Sequence, residues 1–213
     1  IVDLQVALIH VSVPDKHGYC SLGVSVEATL AAIDNADYVI AQVNKQMPRT
    51  HGAGIIHHTE IDAFVECDIP LPTHDMAEPS AVENKIGDYI AELIEDKSTL
   101  QMGIGNIPNA VLTRLHNHKD LGLHTEMFSD GVIDLILEDV INGNYKGINR
   151  GRALATFLVG SQRLYDYVDD NPFIEMRASN YTNDVSIIKQ NPKMVAINSA
   201  IEVDLTGQVC AVF

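Results

Sequence analysis

The sequence predicts an α/β protein whose sheet strands are mostly parallel. Short, apolar, β-branched runs alternate with segments of helical period, most regularly in the second half. Residues with turn chemistry separate many of these segments. The chain has 46% hydrophobic and 20% charged residues over 213 positions, enough to bury a sizeable core. Strand–helix alternation of this kind is typical of a parallel sheet covered on both faces.

The first part of the chain is richer in strands than in helices. Strands are predicted for Val2–Val13, Tyr19–Val24, Tyr38–Val43 and Asp62–Cys67. One helix is predicted at Glu27–Asp34, and Met47–Gly54 predicts a loop. Ile69–Pro79 contains three prolines and predicts an extended connector. We therefore place a domain boundary near residue 80, between units 1–80 and 81–213.

The second part alternates between helix and strand. Val82, Ile86 and Ile90 recur at helical spacing in the first of its predicted helices. Pro108 near a first turn and Asp130 as an N-cap indicate two helix starts. The predicted helices are Ser80–Glu95, Pro108–His116, Gly131–Val140, Ser161–Val168 and Val185–Lys189. The predicted strands are Thr99–Gly103, Leu121–Thr125, Ala153–Val159, Met194–Asn198 and Ile201–Leu205.

Charge and cysteine content narrow the classes of function. The net charge of −15 argues against nucleic acid as a partner, because binding to its many phosphates requires a basic surface, although it is compatible with a small anionic ligand. The longest apolar runs are too short to span a bilayer, so no membrane partner is expected. Cys20, Cys67 and Cys210 are few and far apart, which predicts neither a disulfide framework nor a zinc site. These features fit a cytoplasmic protein.

A glycine-containing loop stands between a predicted strand and a predicted helix. Its residues are Gly103, Ile104, Gly105, Asn106 and Ile107. Glycines let a ligand approach the backbone closely, and a helix start offers unpaired N–H groups to a phosphate or an oxyanion. The loop is neither a Walker A loop nor a dinucleotide fingerprint. A tight turn without a ligand is the alternative.

Glu126 follows the next predicted strand, so its side chain is expected at the rim of the sheet. A carboxylate there can act as a nucleophile toward a thioester. The alternative is a solvated or ion-paired glutamate. Because the glycine loop and Glu126 follow successive strands, we expect them to lie side by side on one rim.

Other ionisable groups are weaker candidates. The cluster of His51, His57, His58, Glu60 and Asp62 lacks the spacing of a metal motif, and we predict no metal site. Glu202 and Asp204 are rivals of Glu126 if they share one face of a strand, although the solvent side of an edge strand is an alternative.

Five segments resemble the acetyl-CoA hydrolase/transferase family, which includes 4-hydroxybutyrate and acetate CoA-transferases. The segments are VSVPDKHGYCSLGVSV, GIGNIPNAV, LGLHTEMFSDGVIDL, FLVGSQRLYDYVDDNP and AINSAIEVDLTGQV, beginning at Val11, Gly103, Leu121, Phe157 and Ala196. They occur in family order through nearly the whole chain. The resemblance implies two open α/β/α domains with mostly parallel sheets, of the CoA-transferase type and both incomplete here.

The resemblance also implies chemistry. Glu126 would form an acyl-glutamyl anhydride and then a glutamyl-CoA thioester, and Gly103–Ile107 would line the site for coenzyme A, which is a substrate. The partners would be an acyl-CoA and a small carboxylate, and a homodimer is common in such families. The strand-like termini at Ile1 and Phe213 lead us to expect an internal portion of a longer protein with little activity by itself. Hydrolysis, CoA binding without turnover, and a metal-dependent hydrolase built on His51–Asp62 remain alternatives.

Overall fold

The computed structural model describes residues 3–74 and 77–211. Ile1, Val2, Asp75, Met76, Val212 and Phe213 lie outside the described residues. These positions include the first residue of the predicted strand Val2–Val13 and two residues of the predicted connector. The expectations about both ends of the chain also concern residues outside the described ranges.

The described residues alternate between short strands and short helices. The strands are β1 (Leu4–Val11), β2 (Tyr19–Ser21), β3 (Ala36–Asn44), β4 (His51–Gly52), β5 (Ile55–His57), β6 (Ala63–Cys67), β7 (Thr99–Met102), β8 (Gly122–His124), β9 (Met127–Phe128), β10 (Ala153–Ala155), β11 (Phe157–Leu158), β12 (Ile174–Met176), β13 (Met194–Ile197), β14 (Glu202–Val203) and β15 (Val209–Cys210). The helices are α1 (Thr29–Asn35), α2 (Ala81–Ala91), α3 (Asn106–Leu112), α4 (Gly131–Leu137), α5 (Gln162–Val168), α6 (Ser179–Thr182) and α7 (Val185–Ile188), and 3₁₀ turns cover His58–Glu60 and Leu115–Asn117.

Two parallel sheets organise the fold and confirm the predicted α/β class. The first has the strand order β1-β3-β6, and the second has the order β13-β7-β8-β10-β12-β4. Every pairing in both sheets is parallel. Leu100, Leu123 and Leu154 occupy adjacent central strands and are fully buried, as expected where helices cover a parallel sheet. The small pairs β2-β5 and β14-β15 are antiparallel.

Helix α2 shows how sequence signals position the site. Ser80 and Glu83 form a capping box, because the Glu83 N–H donates to Ser80 Oγ (3.3 Å) and the Ser80 N–H donates to Glu83 Oε2 (2.6 Å). One turn after Glu83, Gly87 packs so closely on Ala110 of α3 that an added Cβ would lie 2.9 Å from the Ala110 carbonyl carbon. The helix therefore supports α3, which directly follows the glycine loop.

Long-range pairing corrects two sequence predictions. The segment Met47–Gly54 was predicted as a loop, yet His51–Gly52 forms edge strand β4, because β12 supplies its partners from more than a hundred residues away. Asp130 was predicted to cap α4, but it has helical backbone angles (φ −50°, ψ −34°) and makes no side-chain cap. Its carboxylate instead accepts hydrogen bonds from the backbone N–H (2.8 Å) and hydroxyl of Ser161.

Strand β4 also links the two halves of the chain. It comes from the first half but lies in the six-stranded sheet, which is otherwise built by the second half. The Val26 N–H donates to the Thr156 carbonyl (2.9 Å), which adds a second link between the halves. The boundary near residue 80 stays a prediction. In the described ranges, no helix has both the length and the apolar character needed to cross a bilayer.

Candidate active site

The glycine loop and Glu126 follow neighbouring strands, as the sequence predicted. Strands β7 and β8 pair through Thr99–Gly122 and Leu100–Leu123, and then the pairing stops. The loop continues from the end of β7, while Thr125 and Glu126 continue from the end of β8. Carboxyl ends of parallel strands are where open α/β sheets bind their ligands. The two predicted site elements therefore meet at one edge of the six-stranded sheet.

A cleft of about 260 Å³ lies at this edge. Glu126, Gly103 and Ile104 all line it. Glu126 is exposed, and its carboxylate makes no ion pair with any residue in the described ranges. Ile104 is 66% exposed at the loop tip, so it presents an apolar surface to whatever enters. The cleft thus combines a free carboxylate with a loop whose backbone can be approached.

The backbone of Glu126 is held more tightly than its side chain. Its carbonyl oxygen accepts hydrogen bonds from the Thr156 N–H (2.8 Å), the Thr156 hydroxyl (2.8 Å) and the Phe157 N–H (3.1 Å). Phe157 also lines the cleft. The anchored backbone restricts the positions that the Glu126 carboxylate can occupy in the cleft.

Two glycines of the loop are required by their geometry. A Cβ on Gly103 would lie 2.9 Å from Asn198 Oδ1 and 3.0 Å from the Ile197 carbonyl oxygen, so the Asn198 side chain and the end of β13 would have to shift to admit a side chain. Gly105 has φ +120°, a value that residues other than glycine rarely adopt, although a Cβ added there would meet only open space. Gly105 immediately precedes α3 and lines a smaller, mostly apolar cavity of about 30 Å³ next to the cleft.

The remaining loop residues face elsewhere. The Asn106 side-chain amide donates to Glu83 Oε1 (3.1 Å), so it braces the start of α2. The hydrogen bonds from Ser80 and then Asn106 hold the pKa of Glu83 below its ordinary value. Ile107 is half-buried in α3 and belongs to the lining of neither cavity. The structure therefore brings Gly103, Ile104 and Glu126 together, with Gly105 adjacent.

Sequence reasoning missed an amide pair in the cleft. Gln101 and Asn198 exchange two hydrogen bonds, from Gln101 Nε2 to Asn198 Oδ1 (3.2 Å) and from Asn198 Nδ2 to Gln101 Oε1 (3.0 Å). Both residues line the cleft. They lie 97 positions apart in the chain, so no local pattern could have linked them.

The weaker candidates have structural partners outside the cleft. His51 Nε2 lies 3.0 Å from Asp170 Oδ1, and Asp62 accepts a hydrogen bond from the Val39 N–H (2.7 Å). In residues 3–74 and 77–211, no group of three metal-ligating side chains converges. Asp204 accepts hydrogen bonds from Thr206 and from the Gln208 N–H (2.9 Å) in the turn of the β14-β15 hairpin. The hydrogen bond from the Thr206 side chain is the main cause of the lowered pKa of Asp204. Glu202 is exposed in the same hairpin.

His124 directly precedes this site but is buried away from it. Its Nε2 lies 2.8 Å from the Thr182 carbonyl oxygen, and its Nδ1 lies 3.3 Å from Asn191 Nδ2. Burial lowers the pKa of His124, so the neutral ring is favoured. A neutral ring that donates through Nε2 and accepts at Nδ1 satisfies both contacts, which anchors the end of β8 just before Thr125 and Glu126.

Comparison with known proteins gives a consistent result. The family model described as the acetyl-CoA hydrolase/transferase N-terminal domain matches residues 2–74. The C-terminal domain model of the same family matches residues 160–212. Neither matched range contains the glycine loop or Glu126.

Individual relatives match over almost the entire chain. It is 50% identical to a 4-hydroxybutyrate coenzyme A transferase of Clostridium kluyveri, over 98% of this chain and 48% of the relative. It is 49% identical to a succinyl-CoA:acetate/propanoyl-CoA:succinate CoA transferase of Fasciola hepatica, over 98% of this chain and 44% of the relative. The crystal structure of a 4-hydroxybutyrate CoA-transferase from Porphyromonas gingivalis superimposes with a TM-score of 0.94 at 45% identity, covering 97% of this chain and 53% of that one. The chain spans about half the length of the curated relatives it matches.

Proposed function

Because the chain belongs to the acetyl-CoA hydrolase/transferase family, we propose that it forms part of an enzyme that moves CoA from an acyl-CoA to a small carboxylate. Glu126 is the nucleophile in this proposal. The observation that carries it is the shared cleft, in which the exposed carboxylate of Glu126 lies with Gly103 and Ile104. The relatives at 46–50% identity are all named CoA transferases, which supports the same class of reaction.

The proposed reaction consists of four acyl-transfer steps, after which the Glu126 carboxylate is regenerated. The Glu126 carboxylate attacks the thioester carbonyl, CoA leaves as thiolate, and an acyl-glutamyl anhydride forms. The thiolate then attacks the side-chain carbonyl of Glu126, releasing the first carboxylate and leaving a glutamyl-CoA thioester. The acceptor carboxylate attacks that thioester and expels the thiolate again. Attack of the thiolate on the acceptor carbonyl yields the new acyl-CoA and restores the Glu126 carboxylate.

Each of these steps passes through an oxyanion, which needs hydrogen-bond donors. The backbone N–H groups of Ile104 and Gly105 are the donors we assign to this role, because Ile104 lines the cleft and the adjacent Gly105 has no side chain to block access to the backbone. The Gly103 N–H is already used, since it donates to the Ile197 carbonyl (2.7 Å). Fixed backbone donors need little reorganisation during the reaction. The described lining of the cleft contains no lysine or arginine.

Hydrolysis is the second candidate, in which water resolves the glutamyl thioester. Matches at 24% identity to acetyl-CoA hydrolases of Neurospora crassa and Yarrowia lipolytica support it. The transferase relatives are about twice as similar to this chain. Product analysis with and without an added carboxylate separates the two, because a hydrolase consumes acyl-CoA at the same rate in either case.

Chemical trapping tests the role of Glu126. The full-length protein of which this chain forms part is incubated with acyl-CoA, treated with hydroxylamine, and digested for peptide mass analysis. We expect a hydroxamate on Glu126, its loss in Glu126→Gln, and its persistence in the matched control Glu202→Gln, whose carboxylate is exposed outside the cleft. Modification of a different residue would overturn the nucleophile assignment. Intact CoA binding without any adduct would instead support a non-catalytic CoA-binding module.

A further inference from the structure

The side chain of Thr125 occupies the fork where strands β7 and β8 separate. Backbone pairing between these strands ends at Leu100–Leu123. Beyond that point β7 stays paired with β13 on its other side, and the Gly103 N–H donates to the Ile197 carbonyl (2.7 Å). Thr125 is fully buried in the gap between the diverging strands.

The Thr125 hydroxyl takes the place of the missing backbone pairing. It accepts a hydrogen bond from the Met102 N–H (3.0 Å) and lies 3.1 Å from the Met102 carbonyl oxygen. It also lies 2.9 Å from the Met127 carbonyl oxygen. Since a hydroxyl has one proton, it donates to one of the two carbonyls at a time, while its oxygen always accepts the hydrogen bond from the Met102 N–H. One oxygen atom therefore connects the residue before the glycine loop with the residues on either side of Glu126.

We infer that Thr125 is a positioning residue that sets the separation between the loop amides and the Glu126 carboxylate. The inference rests on the proposed function, because it assigns Thr125 a role in the reaction of Glu126. Met102 immediately precedes Gly103, and Thr125 immediately precedes Glu126. A change in the Thr125–Met102 contact thus shifts the two halves of the cleft relative to each other. Acyl transfer is sensitive to such shifts, since a displacement of about 1 Å can cost about 100-fold in rate.

The environment leaves the Met102 backbone few alternatives. Met102 is 2% exposed, so water does not readily reach its N–H when the hydroxyl is removed. Thr125→Val keeps the shape of the side chain but supplies no acceptor. Thr125→Ser keeps the hydroxyl and removes only a methyl group. The pair therefore separates loss of the hydrogen bonds from loss of packing.

The experiment uses the full-length protein of which this chain forms part, and measures the rate of acyl-CoA-dependent modification at Glu126 in the wild type and both variants, together with the Kd for CoA. We expect Thr125→Val to slow modification by about 10- to 100-fold with Kd changed less than about threefold, and Thr125→Ser to retain most of the rate. Thr50→Val is the matched control, because Thr50 is equally buried and its hydroxyl donates to the Gly23 carbonyl (2.8 Å) outside the cleft. That control is expected to lower the melting temperature without slowing modification.

Hydrogen exchange at the Met102 amide provides a readout that does not depend on turnover. We expect faster exchange in Thr125→Val and wild-type exchange in Thr125→Ser. An unchanged rate of modification in Thr125→Val, or an equal loss of rate in Thr50→Val, overturns the positioning role. Absence of modification in the wild type overturns the proposed function. Independently, an unchanged rate of hydrogen exchange at the Met102 amide in Thr125→Val refutes the inferred contact.

Discussion

Replacement of Lys146 by methionine is expected to stabilise the protein at neutral pH. Lys146 is only 1% exposed, and its Nζ donates to the Arg152 carbonyl (3.0 Å). Burial lowers the pKa of this ammonium from 10.5 to about 8, although the charge of Glu175 acts in the opposite direction. Methionine keeps an unbranched side chain over Gly122 but carries no charge. The variant therefore removes a desolvated cation from the interior.

The magnitude follows from proton linkage. A pKa lowered by about 2.5 units corresponds to a penalty of about 3 kcal/mol for burying the charged form. The penalty is complete below pH 8, where folded and unfolded chains are both protonated. It is relieved between about pH 8 and 10.5, because the unfolded chain then binds the proton that the folded chain has released. Loss of the hydrogen bond to Arg152 costs the variant about 1 kcal/mol at every pH.

Urea unfolding at several pH values tests this reasoning. Lys146→Met should be about 2 kcal/mol more stable than the wild type at pH 7, and about 1 kcal/mol less stable at pH 10.5. Lys16→Met, which alters an exposed turn residue, should show neither effect. The difference in free energy of unfolding between wild type and variant is taken at each pH, so the contributions of all other titrating groups, which both proteins share, cancel. A difference between wild type and variant that does not depend on pH would refute burial of a charged Lys146.

Two further predictions concern the site and its support. Gly103→Ala should destabilise the protein by about 1–3 kcal/mol, because its Cβ would lie within 3.0 Å of Ile197 and Asn198. In Gly105→Ala, by contrast, the strain would come from the positive φ alone. Thermal unfolding measures both effects, and wild-type stability of Gly103→Ala would contradict the close approach. His124→Gln should reduce the loss of stability on acidification. Burial lowers the folded pKa of His124, so the unfolded chain takes up protons first as the pH falls below 6.5. An identical acid dependence in both proteins would count against this explanation.

The local elements of the sheet edge could be predicted from sequence because their signals are local. Leu100 and Leu123 lie in short apolar runs bounded by turn residues, which predicts buried strands. The glycines at 103 and 105 predict a backbone that turns sharply. Strands that follow each other in the chain are often neighbours, so adjacency of the loop and Glu126 could also be expected. The carboxylate and the glycine loop of the candidate site were therefore identifiable before the structure.

Other features depend on residues that are distant in sequence, and only the tertiary structure determined them. Asp130 has the residue type of a helix cap, but Ser161 competes for its carboxylate. Asn198 is hydrogen-bonded in the cleft to Gln101, which lies 97 residues away in the chain. Thr125 contacts the Met102 backbone where strands β7 and β8 separate, a point that no local sequence pattern indicates. The sequence by itself predicted many of the strands and helices, because backbone propensity and hydrophobic periodicity operate over a few residues. Strand β4 was not among them, since its partner is distant in the chain. The tertiary structure decided which polar groups meet, because buried donors and acceptors must find partners wherever packing places them.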